Sequence, residues 1–92
     1  METNRIVVTV VGKDKVGIIA GVANALAACN ANIIDISQTI MQEFFTMIMM
    51  VDLTNCSVDF SELKQLLEGC GDEMEVKITA QHEEVFHFMH RI

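Results

Sequence analysis

The stretch of the chain best suited to binding chemistry is the polar segment GKDKVG, residues 12–17, between an apolar run and a predicted helix. The first backbone N–H groups of such a helix, at Val16–Ile19, are unpaired, and together with the helix dipole they favour an anion. Asp14 is the nearest acid and suits a cation. A row of donors beside a carboxylate fits a zwitterion such as an α-amino acid. The alternative is that Asp14 or Lys15 is an ordinary solvated turn residue that caps the helix.

The segment gives little support for phosphate binding, because it lacks both the GK[ST] ending of a P-loop and the GxGxxG spacing of a dinucleotide site. The histidines offer little more. His87 and His90 lie three residues apart, with Glu83 and Glu84 nearby, and could bind a metal ion. Solvated or interfacial side chains are the commoner explanation, so we predict no metal site and no cofactor.

Catalysis also has little support in the sequence. There is no Ser-His-Asp order with a nucleophile turn, and no cysteine has a basic neighbour that would lower its pKa. An acylphosphatase-type anion loop would need an arginine, but the only arginines are Arg5 and Arg91. We therefore predict that the protein is not an enzyme.

Composition narrows the class of partner. The chain has 92 residues, 51% of them hydrophobic, and a formal net charge of −7. This acidity opposes binding to nucleic acid and to anionic membranes. Cys29, Cys56 and Cys70 lack the spacing of a zinc site and do not make an even set for disulfides, so reduced thiols and a cytoplasmic location are expected. No signal peptide is recognisable, and the apolar runs are too short to span a bilayer.

Hydrophobic periodicity predicts strands at 5–11, 33–41, 44–53 and 74–79 and helices at 18–29 and 60–70. The order βαββαβ predicts an α+β, ferredoxin-like domain, with a four-stranded antiparallel sheet and two helices on one face. Asn30 should help to end the first helix. Asp59 and Glu62 should cap the second, and Gly69 and Gly71 should bracket its end.

The first and third predicted strands are apolar on both sides, although two helices can cover only one face of the sheet. A C-terminal amphipathic helix is predicted from Val85, Phe88, Met89 and Ile92, which follow an i, i+3, i+4, i+7 pattern. We assign 1–82 to the domain and 83–92 to this helical extension. The second face should be buried by the extension or by another copy of the chain.

The segment GKDKVGIIAGVANALAACNANIIDISQ resembles the ACT domain, a regulatory module that binds small molecules. The matching positions are a polar residue followed by Gly-Ile-Ile, then Asn-Ile at the second strand: Asp14, Gly17, Ile18, Ile19, Asn32 and Ile33. FFTMIMMVDL looks like the family's third strand, and the resemblance covers about residues 5–80. It is particularly close to the ACT domains of the glycine-cleavage repressor and formyltetrahydrofolate deformylase type, and to short stand-alone ACT proteins.

The resemblance implies a homodimer with an amino-acid effector near the subunit interface, where the loop meets the second strand of its own or the neighbouring chain. It assigns the effector's ammonium group to Asp14, its carboxylate to the backbone at Val16–Ile18, and a further contact to Asn32. The implied site is completed by Lys15, Gly17 and Ile33. Val16 stands where the family often has proline, and Gly12 where some members carry a polar side chain. A dimeric interaction subunit that has lost the ligand is therefore the alternative to an amino-acid sensor acting on a partner enzyme or regulator.

Overall fold

The computed structural model of the protein describes residues 4–13 and 16–84. Its elements are β1 (Arg5–Lys13), α1 (Ile18–Ala28), β2 (Asn32–Met41), β3 (Phe44–Asp52), α2 (Phe60–Met74) and β4 (Lys77–His82). The strands form one antiparallel sheet in the order β2-β3-β1-β4. The predicted ferredoxin-like fold is confirmed, whereas most of the predicted C-terminal helix, residues 85–92, lies outside the described residues. The division at residue 82 stays a prediction.

The core lies between the sheet and the two helices. On β1, Ile6, Val8 and Val10 point toward the helices and are fully buried. They meet the i, i+4 stripe of α1 and the inner face of α2, which contribute Ile18, Val22, Leu26, Leu63 and Leu67. From β3, one of the two alternating rows is buried as well, with Phe45, Met47, Met49 and Val51 each at most 3% exposed.

The other side of the sheet, which we call the open face, is covered by neither α1 nor α2. It is formed by alternate residues of the two central strands, paired as Arg5 with Asp52, Val7 with Met50, Thr9 with Ile48, Val11 with Thr46, and Lys13 with Phe44. The prediction that both central strands carry apolar residues on this side is confirmed by the register.

The end of α1 and the start of α2 follow local chemistry. The α1 helix ends where predicted: Asn30 takes a left-handed φ of 59°, and its N–H donates to the carbonyl of Ala27. At the start of α2, Asp59 Oδ1 accepts from the backbone N–H of Glu62 at 2.8 Å, as the predicted cap requires.

The end of α2 was predicted wrongly. The helix does not stop at Cys70 but continues to Met74, and Glu75 closes it with a left-handed φ of 60°. Gly71 is a packing residue, because a Cβ there would lie 2.7 Å from the carbonyl oxygen of Val76. As a consequence β4 is Lys77–His82 and not 74–79.

Strand β2 is the edge of the sheet, and its side chains are mostly exposed although Ile34, Ile36 and Ile40 alternate with polar residues. A β-bulge between Ile33 and Asp35 shifts the register. Leu66 of α2 is likewise 48% exposed. Apolar side chains therefore remain on the surface.

No helix formed by residues 4–13 and 16–84 is both long enough and apolar enough to cross a membrane.

The two glycines of α2 offer a matched test of the packing against β4. Gly71→Ala should lower the free energy of unfolding by about 1–3 kcal/mol, since the new methyl group meets a backbone carbonyl that cannot move easily. Gly69→Ala should leave the stability unchanged or raise it by about 0.5–1 kcal/mol, because its Cβ would enter open space in a helix interior. Urea unfolding of both variants measures the difference, and equal effects would contradict this role for Gly71.

Candidate functional site

The loop between β1 and α1 presents the N-terminus of a helix that lacks a side-chain cap. Gly17 is the N-cap residue, with a left-handed φ of 92°, and no side chain accepts a hydrogen bond from the first turn of α1. The first turn also contains no acidic residue. Among the described residues, the N–H groups at this helix start are therefore available to an anion.

The predicted site residues of the β1–α1 loop differ in exposure. Val16 is fully exposed, whereas the side chain of Ile18 is 2% exposed and anchors the start of α1 in the core. Asp14 and Lys15, to which the resemblance gives the ammonium contact and a neighbouring position, lie outside the described residues. The backbone of Gly17 and Ile18 is thus held in a fixed position by the packing of Ile18.

Gly12 is explained by packing. A Cβ at Gly12 would lie 2.7 Å from Val76 Cγ1 and 3.2 Å from the backbone Cα of Val76. A larger side chain at this position would have to displace the segment that leads into β4. The absence of a polar side chain here is therefore set by close contact between β1 and Val76, which sequence reasoning did not anticipate.

Asn32 and Ile33 lie at the opposite end of the sheet from the loop. Asn32 pairs with Asp52, which in turn pairs with Arg5 at the start of β1. The loop instead follows Lys13, the last residue of β1. For a strand of 9 residues, these ends are roughly 26 Å apart. One chain therefore does not bring Asn32 to the loop.

The surroundings of Asn32 are polar and include groups that the sequence prediction missed. An open cavity of about 210 Å³ is lined by Asn30, Ala31, Asn32, Asp52, Thr54 and Asn55. Asp52 Oδ1 accepts from Thr54 Oγ1 at 2.6 Å and from the Thr54 backbone N–H at 2.9 Å. These bonds hold the pKa of the Asp52 carboxyl below its usual range. A carboxylate oriented in this way can attract a cationic group, and the polar run DLTN at the end of an apolar strand was its only sequence signal.

Cys29 and Cys70 are not set up as nucleophiles. Burial raises the pKa of the Cys29 thiol, and the nearby Cys56 and Glu62 raise it further. Burial also raises the pKa of the Cys70 thiol, with Glu73 adding to the effect. Both thiols are therefore protonated near neutral pH, and the thiolate is the reactive form. Within the described part of the chain, no three His, Cys, Asp or Glu side chains are grouped so that they could hold a metal ion.

The edge strand β2 forms an exposed region with apolar side chains on both faces of the sheet, since Ile40 pairs with the buried Phe45 and Met41 pairs with Phe44 of the open face. We call it the β2 edge surface; its members are Ile34, Ile36, Ile40 and Met41, which are 41–70% exposed. Asp35 is the only charged residue of the strand, and the strand has no lysine or proline that would discourage pairing with another strand. Exposed apolar side chains beside unpaired backbone groups are typical of an interface.

Comparison with known proteins agrees with this architecture. The sequence pattern of the ACT domain family matches residues 4–81. A UPF0237 protein of Methanocaldococcus jannaschii is 54% identical over 89 residues, covering 97% of this chain and 99% of the relative. The solved structure of an ACT domain protein from Streptococcus pneumoniae is 41% identical, with a TM-score of 0.80, and the match covers 92% of this chain and 96% of that one.

More distant structures share the fold alone. A putative glycine cleavage system transcriptional repressor matches with a TM-score of 0.76 at 22% identity, over 89% of this chain and 47% of its own. A formyltetrahydrofolate deformylase from Pseudomonas syringae matches with a TM-score of 0.80 at 19% identity, over 89% of this chain and 28% of its own. The resemblance drawn from the loop, the first helix and the second strand is confirmed, and the chain belongs to the ACT domain family.

Proposed function

We propose that the protein is a stand-alone regulatory domain that binds an amino acid or a similar zwitterion between the two subunits of a homodimer. In this proposal the bound ligand changes how the dimer docks on a partner enzyme or regulator, and the protein itself does not catalyse a reaction. The predicted site has two parts: the β1–α1 loop with the start of α1, and Asn32 on β2. The observation that carries the proposal is that these two parts lie at opposite ends of the sheet within one chain. A second chain is the simplest means of joining them.

The β2 edge surface supplies the geometry for such a dimer. If two β2 strands pair antiparallel about a two-fold axis, the start of one strand lies beside the end of the other. Asn32 of one subunit then approaches Met41 of its partner subunit, at the end of the sheet where the partner's loop follows β1. Because α1 packs against β2 while α2 packs against β4, the uncapped helix start also lies on the side of this interface.

The chemistry of the two parts of the site is complementary to a zwitterion. The free N–H groups at the start of α1 suit a carboxylate, and by family resemblance Asp14 takes the ammonium group. Asn32 adds an amide that can both donate and accept. A charge pair at 4 Å is worth about 1–4 kcal/mol, depending on how far water is excluded, and ordering costs offset part of it. A dissociation constant of roughly micromolar to millimolar follows, which suits a sensor of metabolite concentration.

The location proposed for the protein is the cytoplasm. Cys29, Cys56 and Cys70 are all free thiols. Reduced cysteines are usual in the cytoplasm, where disulfides are rare.

Ligand binding can be tested by thermal shift and calorimetry with the common amino acids. At least one should raise the melting temperature at millimolar concentration. Asp14→Asn and Asn32→Ala should each weaken binding by about 10–100-fold, the loss expected for one hydrogen bond to a charged group. Asn24→Ala is the matched control, because Asn24 is an exposed asparagine on α1 and should leave the affinity unchanged.

Mixing the two variants tests whether the site lies between chains. A heterodimer of Asp14→Asn and Asn32→Ala chains contains one intact site if each site uses Asp14 of one chain and Asn32 of the other. The mixture should therefore regain part of the high-affinity binding, up to half of the sites in each heterodimer. If binding is not regained, Asp14 of one chain and Asn32 of the other do not form one site, and the proposed site between chains is wrong. If no amino acid binds while the dimer forms, the protein is a ligand-free interaction subunit.

The β2 edge can be tested by placing a charge in it. Ile40→Lys should convert the dimer to a monomer, or weaken it at least 10-fold, because the lysine would be buried against the partner strand. Leu66→Lys is the control, since Leu66 has a similar exposure, 48% against 56% for Ile40, but lies on α2. Light scattering during size-exclusion chromatography gives the masses. A dimeric Ile40→Lys variant, or a monomeric Leu66→Lys variant, would contradict pairing through β2.

A further inference from the structure

The open face is not uniformly exposed. Val7 and Val11 lie on the same strand and the same side of the sheet, yet Val7 is 2% exposed and Val11 is 44% exposed. Ile48 on the neighbouring strand is 39% exposed. The buried part of the open face is therefore the end near the start of β1, and not the end near the β1–α1 loop.

The chain leaves β4 at this same end and turns toward the open face. His82 pairs with Ile6, so the end of β4 lies beside the start of β1. Arg5 belongs to the open face, and its Nη2 lies 2.8 Å from Glu83 Oε2 and donates a hydrogen bond to Glu83 Oε1 at 3.1 Å. The backbone is already helical at Glu83 and Glu84. The ion pair thus places the first residues after β4 on the side of the sheet opposite α1 and α2.

A cavity lies farther across the same face. Its volume is about 140 Å³, and its lining includes Val7, Ile48 and Met50 together with Asp35 and Ser37 of β2. The apolar members from β1 and β3 are Val7, Ile48 and Met50, and β2 adds Ile36. The cavity thus extends from the middle of the open face toward β2, and it could receive one large apolar side chain.

We propose that residues 85–92 lie across the open face, running from the end of β4 over β1 to this cavity. Their apolar positions Val85, Phe88, Met89 and Ile92 recur at helical spacing, as a segment lying on an apolar surface requires. Eight residues in a helix span about 12 Å. Crossing from β4 over β1 to β3 requires two strand spacings, about 10 Å. The length therefore matches the distance from the Arg5–Glu83 ion pair to the cavity.

This assignment separates two apolar surfaces that the sequence could not distinguish. The C-terminal segment covers the open face of its own chain, and the β2 edge surface stays available to a second copy. A second copy stacked on the open face would have to displace the chain at Glu83, where the ion pair with Arg5 holds it. The inference rests on the open face and not on the ligand site, so it can fail while the proposed function stands.

Nuclear Overhauser contacts in the full-length protein test the arrangement directly. Chains carrying labelled methyl groups on Val, Ile and Met and labelled Phe rings are diluted tenfold into deuterated chains. We expect contacts from the rings of Phe86 or Phe88 to methyl groups of Val7, Ile48 or Met50. Their intensity per labelled chain should be the same before and after dilution. Contacts that disappear on dilution would show that the segment covers the partner's face, and the absence of contacts would show that it covers neither. Either result overturns the proposal.

A truncation after Glu84 provides an independent readout. Loss of the segment should increase the fluorescence of a bound hydrophobic dye several-fold and lower the melting temperature by several degrees, because Val7 and Met50 lose their cover. Phe88→Asp should reproduce both effects, whereas the control Phe88→Leu should produce neither. The mass in solution should be the same as that of the full chain. A truncated protein with unchanged dye binding and melting, or one that changes only its oligomeric state, would refute the proposed arrangement.

Discussion

The double pairing of β1 is the constraint on which the rest of the structure depends. This strand is bonded to β3 on one side and to β4 on the other, so both of its neighbours are fixed by its register. Its sequence RIVVTVV is apolar on both faces, and a strand of this kind is stable only when both are covered. The helices cover Ile6, Val8 and Val10. The near-complete burial of Val7 shows that the opposite face is also protected at one end.

The elements that the sequence predicted well are those governed by neighbouring residues. The i, i+4 stripe of α1, the cap at Asp59 and the left-handed turn at Asn30 each depend on residues within one or two turns of the chain. The end of α2 could not be predicted in this way. The local sequence around Gly71 predicts a helix end, but the glycine allows close contact with Val76, just before β4, and with Ile78 in β4. Glycine can end a helix or allow another segment to approach closely, and only the packing between helix and sheet distinguishes the two roles.

In the candidate site, too, some features follow from the local sequence and others only from the pairing of distant strands. The helix start at Gly17 and the polar character of Asn32 are visible in the sequence, and the family resemblance connects them. Their positions at opposite ends of the sheet follow from the antiparallel register of β1, β3 and β2, which no local pattern encodes. Asp52 was missed for a related reason. It becomes a neighbour of Asn32 only through strand pairing, and its low pKa depends on Thr54, two residues farther along the chain.

The two edges of the sheet differ in a way that limits assembly. Strand β2 has 10 residues with a single charge, whereas β4 has 6 residues and includes Lys77 and His82. Short edges that carry a lysine resist the addition of further strands. A two-fold contact through β2 uses the permissive edge of both copies and leaves the two β4 edges facing outward. If two copies pair in this way, the sheet stops growing at eight strands, and an apolar edge that could seed a fibre in another protein would instead give a closed particle of defined size.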